Sequence, residues 1–305
     1  MNKTLRKEYL DKAFLLHNAG KIDEAKNFYN KIINENFDDA ETYNLIGICE
    51  LQQKKYDSAE AYIKKALGFK KSLYFYSMLA HVYSQQNRFE DEILLWQEAQ
   101  ATFGLNFDIA FSLALAYKNT KNYELAKNYY LMALEFNPNS KEACFNLAGI
   151  YFSMQEIEKS IIYYKRCLEL DPNDRESEYF LSHAYLRLKD YKNGLKHFEA
   201  RLCRQTAIET TKVTYPNLYS NSKLWQGEDL SDKVLYTYYE AGFGDMIMFA
   251  RYIPELAKRC KKLIVKPQIE LYQLFKDNFP QAEIMEYFYP EKDFHFEYHI
   301  PFLSI

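Results

Sequence analysis

The stretch "ELAKNYYLMAL", residues 124–134, decides the fold, because its pattern returns along about two thirds of the chain. Working outward, "EKSIIYYKRCL" (158–168) and "KNGLKHFEARL" (192–202) follow it, while "EDEILLWQEA" (90–99), "DSAEAYIKKAL" (57–67) and "DEAKNFYNKI" (23–32) precede it. Aligned, they share a position held by Ala25, Ala59, Glu92, Ala126, Ser160 and Gly194, at intervals of 34, 33, 34, 34 and 34 residues. Four residues later each carries a large side chain: Tyr29, Ile63, Trp96, Tyr130, Tyr164 and Phe198. Upstream lie Ile46-Gly47, Leu79-Ala80, Leu113-Ala114, Leu147-Ala148 and Leu181-Ser182, with Tyr83, Tyr117, Tyr151 and Tyr185 three positions beyond the last four. A fixed period of this length marks a stack of repeated supersecondary units.

The pattern resembles the tetratricopeptide repeat over about residues 7–201. Small residues let two antiparallel helices approach closely, and the aromatics fill the gaps between successive pairs. Pro138 and Pro172 stand where helices must stop. Glu92 breaks the small-residue rule and Glu50 the tyrosine rule, so the third repeat is expected to pack more loosely. The resemblance implies a right-handed superhelix lined by the first helix of each pair, a concave surface that holds extended peptides.

The inward positions of that family fall here on Asn44, Ile48 and Leu51, on Ser77, His81 and Ser84, and on Phe111, Leu115 and Lys118. Later repeats supply Phe145, Asn146, Gly149 and Phe152, then Tyr179, His183 and Leu186. This lining is aromatic and neutral. It lacks the pattern of lysines and asparagines with which some family members grip a C-terminal carboxylate. It also lacks the continuous asparagine ladder of O-GlcNAc-transferase-like grooves, since only Asn146 occupies a matching place. Glu41, Asp108, Glu142 and Glu176 recur near the starts of first helices, where acids offset the helix dipole; an acidic rim for basic partners is the other reading. His81 and His183, about three repeats apart, read as groove residues rather than metal ligands.

Periodicity fades after Arg201, and residues 202–232, rich in Thr, Ser and Asn, read as a connector that caps the last repeat. Beyond it, short β-rich runs alternate with amphipathic ones. Strands are predicted at 233–240, 262–266 and 282–287, with a last one inside "FHFEYHIPF" (294–302), and helices at 245–260 and 267–279. Strand, helix, strand, helix, strand begins a parallel α/β sheet.

The string "LWQGEDLSDKVLYTYYEAGFGDMIMFARYIPEL" (224–256), with "LIVKPQIELYQLFKDNFPQAEI" (263–284) and "FEYHIPFLSI" (296–305), resembles a segment that follows tetratricopeptide repeats in a bacterial glycosyltransferase group. That group is similar to heptosyltransferases of family 9 and, more distantly, to O-GlcNAc transferases. The matching elements are Trp225, Gly227, the Gly-x-Gly-Asp of 242–245, Phe249 to Tyr252, and His299 to Ser304; Ala241 and Glu297 depart from the group's usual glutamine and aspartate. The resemblance implies a GT-B architecture of two Rossmann-like domains. On that basis residues 233–305 amount to about half of the first domain, and the donor site is expected to lie outside them. The alternative function is therefore a fragment or split subunit of a glycosyltransferase, with a second chain completing the α/β domain.

Three readings compete for Gly242, Gly244 and Asp245. A phosphate cradle uses glycines at a strand-to-helix turn, but Ile247 replaces the third glycine and Asp245 opposes an anion. A catalytic reading makes Asp245 the general base of a complete transferase, as the resemblance implies. A structural one has Asp245 cap the helix while the glycines permit a tight turn. Arg251 is expected to pair with Glu255 one turn on. His295 and His299 share a strand face without an acid or cysteine cluster of metal spacing.

The 305 residues are 48% hydrophobic and 27% charged with a net charge of -3, which gives no electrostatic footprint for nucleic acid. Lys258, Arg259, Lys261 and Lys262 read as the cationic end of a helix. The cysteines, Cys49, Cys144, Cys167, Cys203 and Cys260, form no C-x-x-C pair and read as reduced thiols in a cytoplasmic protein. No apolar h-region follows the N-terminus, and no apolar run reaches the roughly 20 residues of a membrane span. The expectation is a mainly α protein: a solenoid of about six helix-turn-helix repeats at 1–201, then a small incomplete Rossmann-like α/β domain at 233–305. It binds a protein or peptide in the groove, requires no cofactor, and is an enzyme only if completed.

Overall fold

Helices follow one another in pairs at the period read from the sequence: α1 (Lys3–Asn18), α2 (Ile22–Asn34), α3 (Ala40–Gln52), α4 (Tyr56–Phe69), α5 (Leu73–Gln85), α6 (Phe89–Phe103), α7 (Phe107–Asn119), α8 (Tyr123–Phe136), α9 (Lys141–Ser153), α10 (Ile157–Leu170), α11 (Arg175–Arg187) and α12 (Tyr191–Phe198). The structure is a computed structural model that describes residues 3–35, 39–203, 222–240, 242–286 and 295–305; it comprises two units, Met1–Gly194 and Leu195–Ile305.

In the first unit each helix packs on the next from α1 to α11. The aligned small residues are the reason. Ala25, Ala59, Ala126 and Ser160 are fully buried, and so are Tyr29, Ile63 and Tyr130 four residues on. A Cβ on Gly47 would stand 2.5 Å from Ile63 Cγ1 and 3.3 Å from the Ala59 carbonyl, so α3 and α4 close to a distance that only glycine allows. The tyrosines three positions past the small pairs stack on the following helix, Tyr117 on Tyr129 at 5.6 Å and Tyr151 on Tyr163 at 5.5 Å. Glu50, which replaces such a tyrosine, is buried and held by Lys26 at 2.5 Å.

The turn inside each pair is the same Schellman motif, in which the last free carbonyls of the first helix are taken by two successive backbone N–H groups. Lys55 N–H donates to Glu50 and Lys54 N–H to Leu51; Arg88, Asn122, Glu156 and Asp190 donate likewise to Tyr83, Tyr117, Tyr151 and Tyr185. The motif needs one left-handed residue. Gly20 fills that place in the first pair (φ 75°), whereas Lys54, Asn87, Lys121, Gln155 and Lys189 fill it in the next five, with φ between 57° and 63°. Asn106, Asn122, Ser140 and Asp174 cap α7, α8, α9 and α11 through their side chains.

The third repeat departs from expectation. Its helices are regular, Trp96 is 5% exposed, and Glu92 is buried at 5% exposure where its counterparts are small. Burial pushes its carboxyl up to about 7, with Trp96 one turn on pulling the other way.

The second unit holds a five-stranded parallel sheet in the order β1 (Lys223–Leu224), β5 (Tyr298–Pro301), β2 (Leu230–Tyr238), β3 (Cys260–Lys266) and β4 (Glu283–Ile284). Leu235, Leu263, Val265 and Ile300 pack in one core with Met246, Ile253, Leu256 and Phe275, while Tyr236, Tyr238, Ile264, Met285 and Phe296 form another. Burial on both faces is what a parallel sheet requires.

Local differences have local causes. The helix predicted at 245–260 is two, α13 (Phe243–Phe249) and α14 (Ile253–Arg259), joined by a 3-10 turn at Ala250–Tyr252. Pro254 has no N–H to donate and its ring crowds the carbonyl four residues back, which interrupts the ladder there. Likewise α15 (Tyr272–Asn278) starts after a 3-10 turn rather than at Pro267. Within the expected connector, residues 223–224 form an edge strand, β1, and β2 starts at Leu230 rather than at 233, while residues 204–221 lie outside the described residues. The sheet ends in two-residue strands, β1 and β4, which keeps its edges short.

Candidate functional site

The face formed by α7, α9 and α11 carries most of the residues singled out from the sequence. Phe145 on α9 meets Tyr164 at 5.7 Å and Phe180 at 5.5 Å, both edge-on. Tyr179 meets His183 one turn later at 4.3 Å, and a ring nitrogen of His183 lies 2.9 Å from the Tyr179 carbonyl. These contacts fix the positions of the rings along α9 and α11.

A cavity of about 530 Å³ opens there, lined by Lys118, Asn119, Lys121, Tyr123, Phe145, Asn146, Gly149, Ile150, Phe152, Ser153, Tyr164, Phe180 and His183. Of the expected groove residues, Lys118, Phe145, Asn146, Gly149, Phe152 and His183 line it together. Phe111, half-buried on α7, packs on Phe107 and Tyr130 and lies outside it, as does Tyr179. His81 is exposed on α5. Asn44 is the correction: it is 1% exposed and its Oδ1 has no hydrogen-bond partner, so it sits inside the α3 packing and not on a binding surface. A helical repeat fixes which residues share a stripe, but the depth of that stripe depends on neighbours the count does not see.

Lys118, Lys121 and Phe180 bring chemistry that the neutral aromatic reading undervalued. Lys118 donates to Asn146 Oδ1 at 2.8 Å, and Asn146 in turn donates to the Glu142 carbonyl at 2.9 Å. Burial lowers the Lys118 pKa below its ordinary value. Phe180 had a sequence signal, because it occupies in its repeat the place of Asn146, 34 residues earlier.

In the second unit, Arg201 is 8% exposed and donates to Glu240 Oε1 at 2.6 Å, to Glu199 Oε1 at 2.7 Å and to Ser304 Oγ at 2.6 Å. Burial raises the Glu240 carboxyl, with Arg201 offsetting part of it. Beside this network a cavity of about 500 Å³ is lined by Glu199, Leu202, Leu224, Trp225, Gln226, Gly227, Ile300 and Ser304, at the carboxyl ends of β1 and β5.

Asp245, in the first turn of α13, accepts from the Gly242 N–H at 3.2 Å, the reach-back bond of a helix cap. The glycines are not needed for a tight turn. Gly242 is extended (φ -72°, ψ 169°), and a Cβ on Gly244 would meet nothing within 4 Å. Ala241 lies outside the described residues. Arg251 faces the Tyr252 ring at 5.2 Å, while Glu255 pairs instead with Lys258 at 3.6 Å and Arg259 at 4.0 Å.

His299 lies on β5, fully buried, its Nδ1 2.7 Å from Ser222 Oγ, and burial lowers its pKa to about 4; His295 is exposed and precedes the strand. Glu297 accepts from the Val234 N–H at 2.9 Å and so ties β5 to β2. Among the described residues no three His, Cys, Asp or Glu side chains form a metal-binding group, and no helix is long and apolar enough to cross a membrane. Cys49, Cys144, Cys167 and Cys260 are buried free thiols; burial raises Cys49 to about 11 and Cys167 to about 12.

Residues 9–39, 40–72, 107–140 and 141–174 each match the family model described as the tetratricopeptide repeat. The chain carries tetratricopeptide repeats. The model passes over residues 73–106, the segment in which Glu92 replaces the small residue, although α5 and α6 there pair as their neighbours do. The tetratricopeptide match ends at residue 174, leaving the sheet unassigned.

Solved structures agree. Part of a tetratricopeptide-repeat protein of Cytophaga hutchinsonii is 17% identical with a TM-score of 0.56, over 69% of this chain and 84% of that one. PilF of Pseudomonas aeruginosa is 16% identical with a TM-score of 0.54, over 70% and 93%. MamA of Desulfovibrio magneticus, from residue 41 to its end, is 15% identical with a TM-score of 0.51, over 57% and 98%. At such identities the likeness shows the fold. No curated protein matches the chain. Nothing in these likenesses reaches sugar-transfer chemistry.

Proposed function

We propose that this protein is an interaction scaffold whose tetratricopeptide repeats hold an extended peptide segment of a partner protein. The observation that carries the reading is the aromatic cavity between α7, α9 and α11, about 530 Å³ in volume, with Phe145, Asn146, Phe152 and His183 in its wall. Phe111 and Tyr179 lie on α7 and α11, two of the helices that bound it. A cleft of this size, mostly apolar with a few polar groups, suits side chains of a bound segment. The test is selection of phage-displayed dodecapeptides on the immobilised chain, repeated on Phe145→Ala/Phe152→Ala with its helicity checked by circular dichroism. Peptides enriched on the parent and lost on the folded variant support the groove; equal enrichment on both removes it.

A second reading rests on the second unit. Its sheet is parallel, and a cavity lies at the carboxyl ends of its strands, where open α/β sheets place ligands. This supports a Rossmann-like unit related to the acceptor half of a glycosyltransferase, with Asp245 as the base of a complete enzyme and a second chain supplying the donor side. Because that reading assigns the donor side to a second chain, calorimetric titration with nucleotide sugars is made on the complex with any α/β chain that co-purifies: saturable binding by the complex and not by this chain alone supports a transferase, and no such complex, or no heat from it, leaves the scaffold.

A further inference from the structure

The cavity between α7 and α9 has two lysines in its wall, Lys118 and Lys121, of which Lys118 is the more buried. Lys118 is half-buried in its wall, fixed by Asn146, and among the described residues no carboxylate pairs with it. Burial alone lowers its pKa. An ammonium has three donors, and the bond to Asn146 uses one. A charge taken partly out of water in this way gains most from an anion brought to it. Glu142, one turn before Asn146 on α9, accepts from Ser140 Oγ at 3.5 Å and forms no ion pair with Lys118. Asp108 stands ten residues before Lys118, which is about 15 Å along the axis at the helical rise. That exceeds the roughly 8 Å over which exposed charges are screened at physiological ionic strength.

Beside Lys118 the wall carries the rings of Phe145, Phe152 and Phe180, with Lys121, Ser153 and His183 among its polar groups. The wall draws on α7, α9 and α11, so a bound chain that fills the cavity runs across three successive repeats. In an extended chain, residues two apart present side chains to the same face.

The geometry points to a carboxylate subsite at Lys118: the groove takes an extended internal segment of a partner protein with an Asp or Glu side chain on Lys118 and a large apolar side chain two residues away among the phenylalanines. This rests on the peptide-groove reading above and specifies its ligand.

The test uses the same library of dodecapeptides, joined to the coat protein at their C-terminal ends so that only internal acids are offered. The winning sequence is then synthesised with both ends blocked and measured by fluorescence anisotropy on the whole chain. Enriched peptides are expected to share an acid with Phe, Leu, Ile or Met two positions away. Lys118→Met should weaken the blocked peptide about tenfold, the size of a charge-assisted contact, and Lys118→Arg should restore most of it. Selection on Lys118→Met should return apolar peptides without the acid. Enriched peptides lacking an acid, acidic ones that bind Lys118→Met within twofold, or winners that bind only with a free terminal carboxylate overturn the subsite. When such peptides are still lost on Phe145→Ala/Phe152→Ala, the groove stands and the subsite alone falls. No enrichment at all, or enrichment indifferent to that double variant, removes the groove and the subsite with it.

Discussion

Replacing Glu92 by glutamine should abolish a pH dependence of stability that the buried carboxyl imposes on the third repeat. Glu92 is 5% exposed, its Oε2 has no hydrogen-bond partner, and burial moves its pKa from 4.5 to about 7. The folded chain therefore binds this proton more tightly than the unfolded chain. The contribution to stability is fully present below the unfolded value and is lost as pH rises through the folded one. A tenfold difference in proton affinity between the two states is worth about 1.4 kcal/mol, so integrating between pH 5 and pH 8 gives a loss of about 2.5 kcal/mol. Urea unfolding followed by far-ultraviolet circular dichroism at the two pH values measures it. With a urea slope of about 2 kcal/mol/M, the parent midpoint should fall by about 1 M more than that of Glu92→Gln. Other titrating groups act on both proteins alike and cancel in the comparison. Glu92→Ala, which restores the small residue of the neighbouring repeats, should lose the same dependence. If parent and variants run parallel from pH 5 to pH 8, the carboxyl is not desolvated and the argument from burial fails.

Further consequences concern the repeat framework. Lys54→Gly and Gln155→Gly place glycine at left-handed positions that now hold side chains, and each should raise stability by up to about 1 kcal/mol, read as a higher urea midpoint. Lys26→Met should leave Glu50 buried without its cation and lower stability by about 3–5 kcal/mol at neutral pH, measured by the same urea unfolding. Asp174→Ala removes the side-chain acceptor at the start of α11 and should cost about 1 kcal/mol, with hydrogen exchange rising at the Ser177 amide.

Much of the first unit was legible in the sequence because one packing device repeats. Ala25, Ala59, Ala126 and Ser160 are spaced by the repeat and all end up fully buried, so a single alignment fixes many contacts at once. What the alignment missed were substitutions within that frame. Asn44 matches a groove position by count yet is buried in its own repeat, and the weight of Lys118 comes from its burial, which no spacing reveals. In the second unit a parallel sheet was anticipated but not its strand order, whereas the break before α14 followed from Pro254, a residue present in the string but given no role there. The edge strand β1 was harder to foresee. Two residues of a polar connector carry no periodicity, and their pairing depends on a segment far along the chain.

That pairing also bears on the order of folding. The main helix-to-helix contacts of the first unit join neighbours in sequence, so the repeats can consolidate as soon as two adjacent pairs are available. The sheet has no such freedom: Lys223 aligns with Tyr298 and Leu224 with His299, so β1, and the side of β2 away from β3, must wait for β5. Closing so long a loop is entropically costly and slow. During synthesis, a finished repeat array would therefore precede a sheet whose strand β2 still has one side open, and that interval is when this protein most needs protection from pairing with other chains.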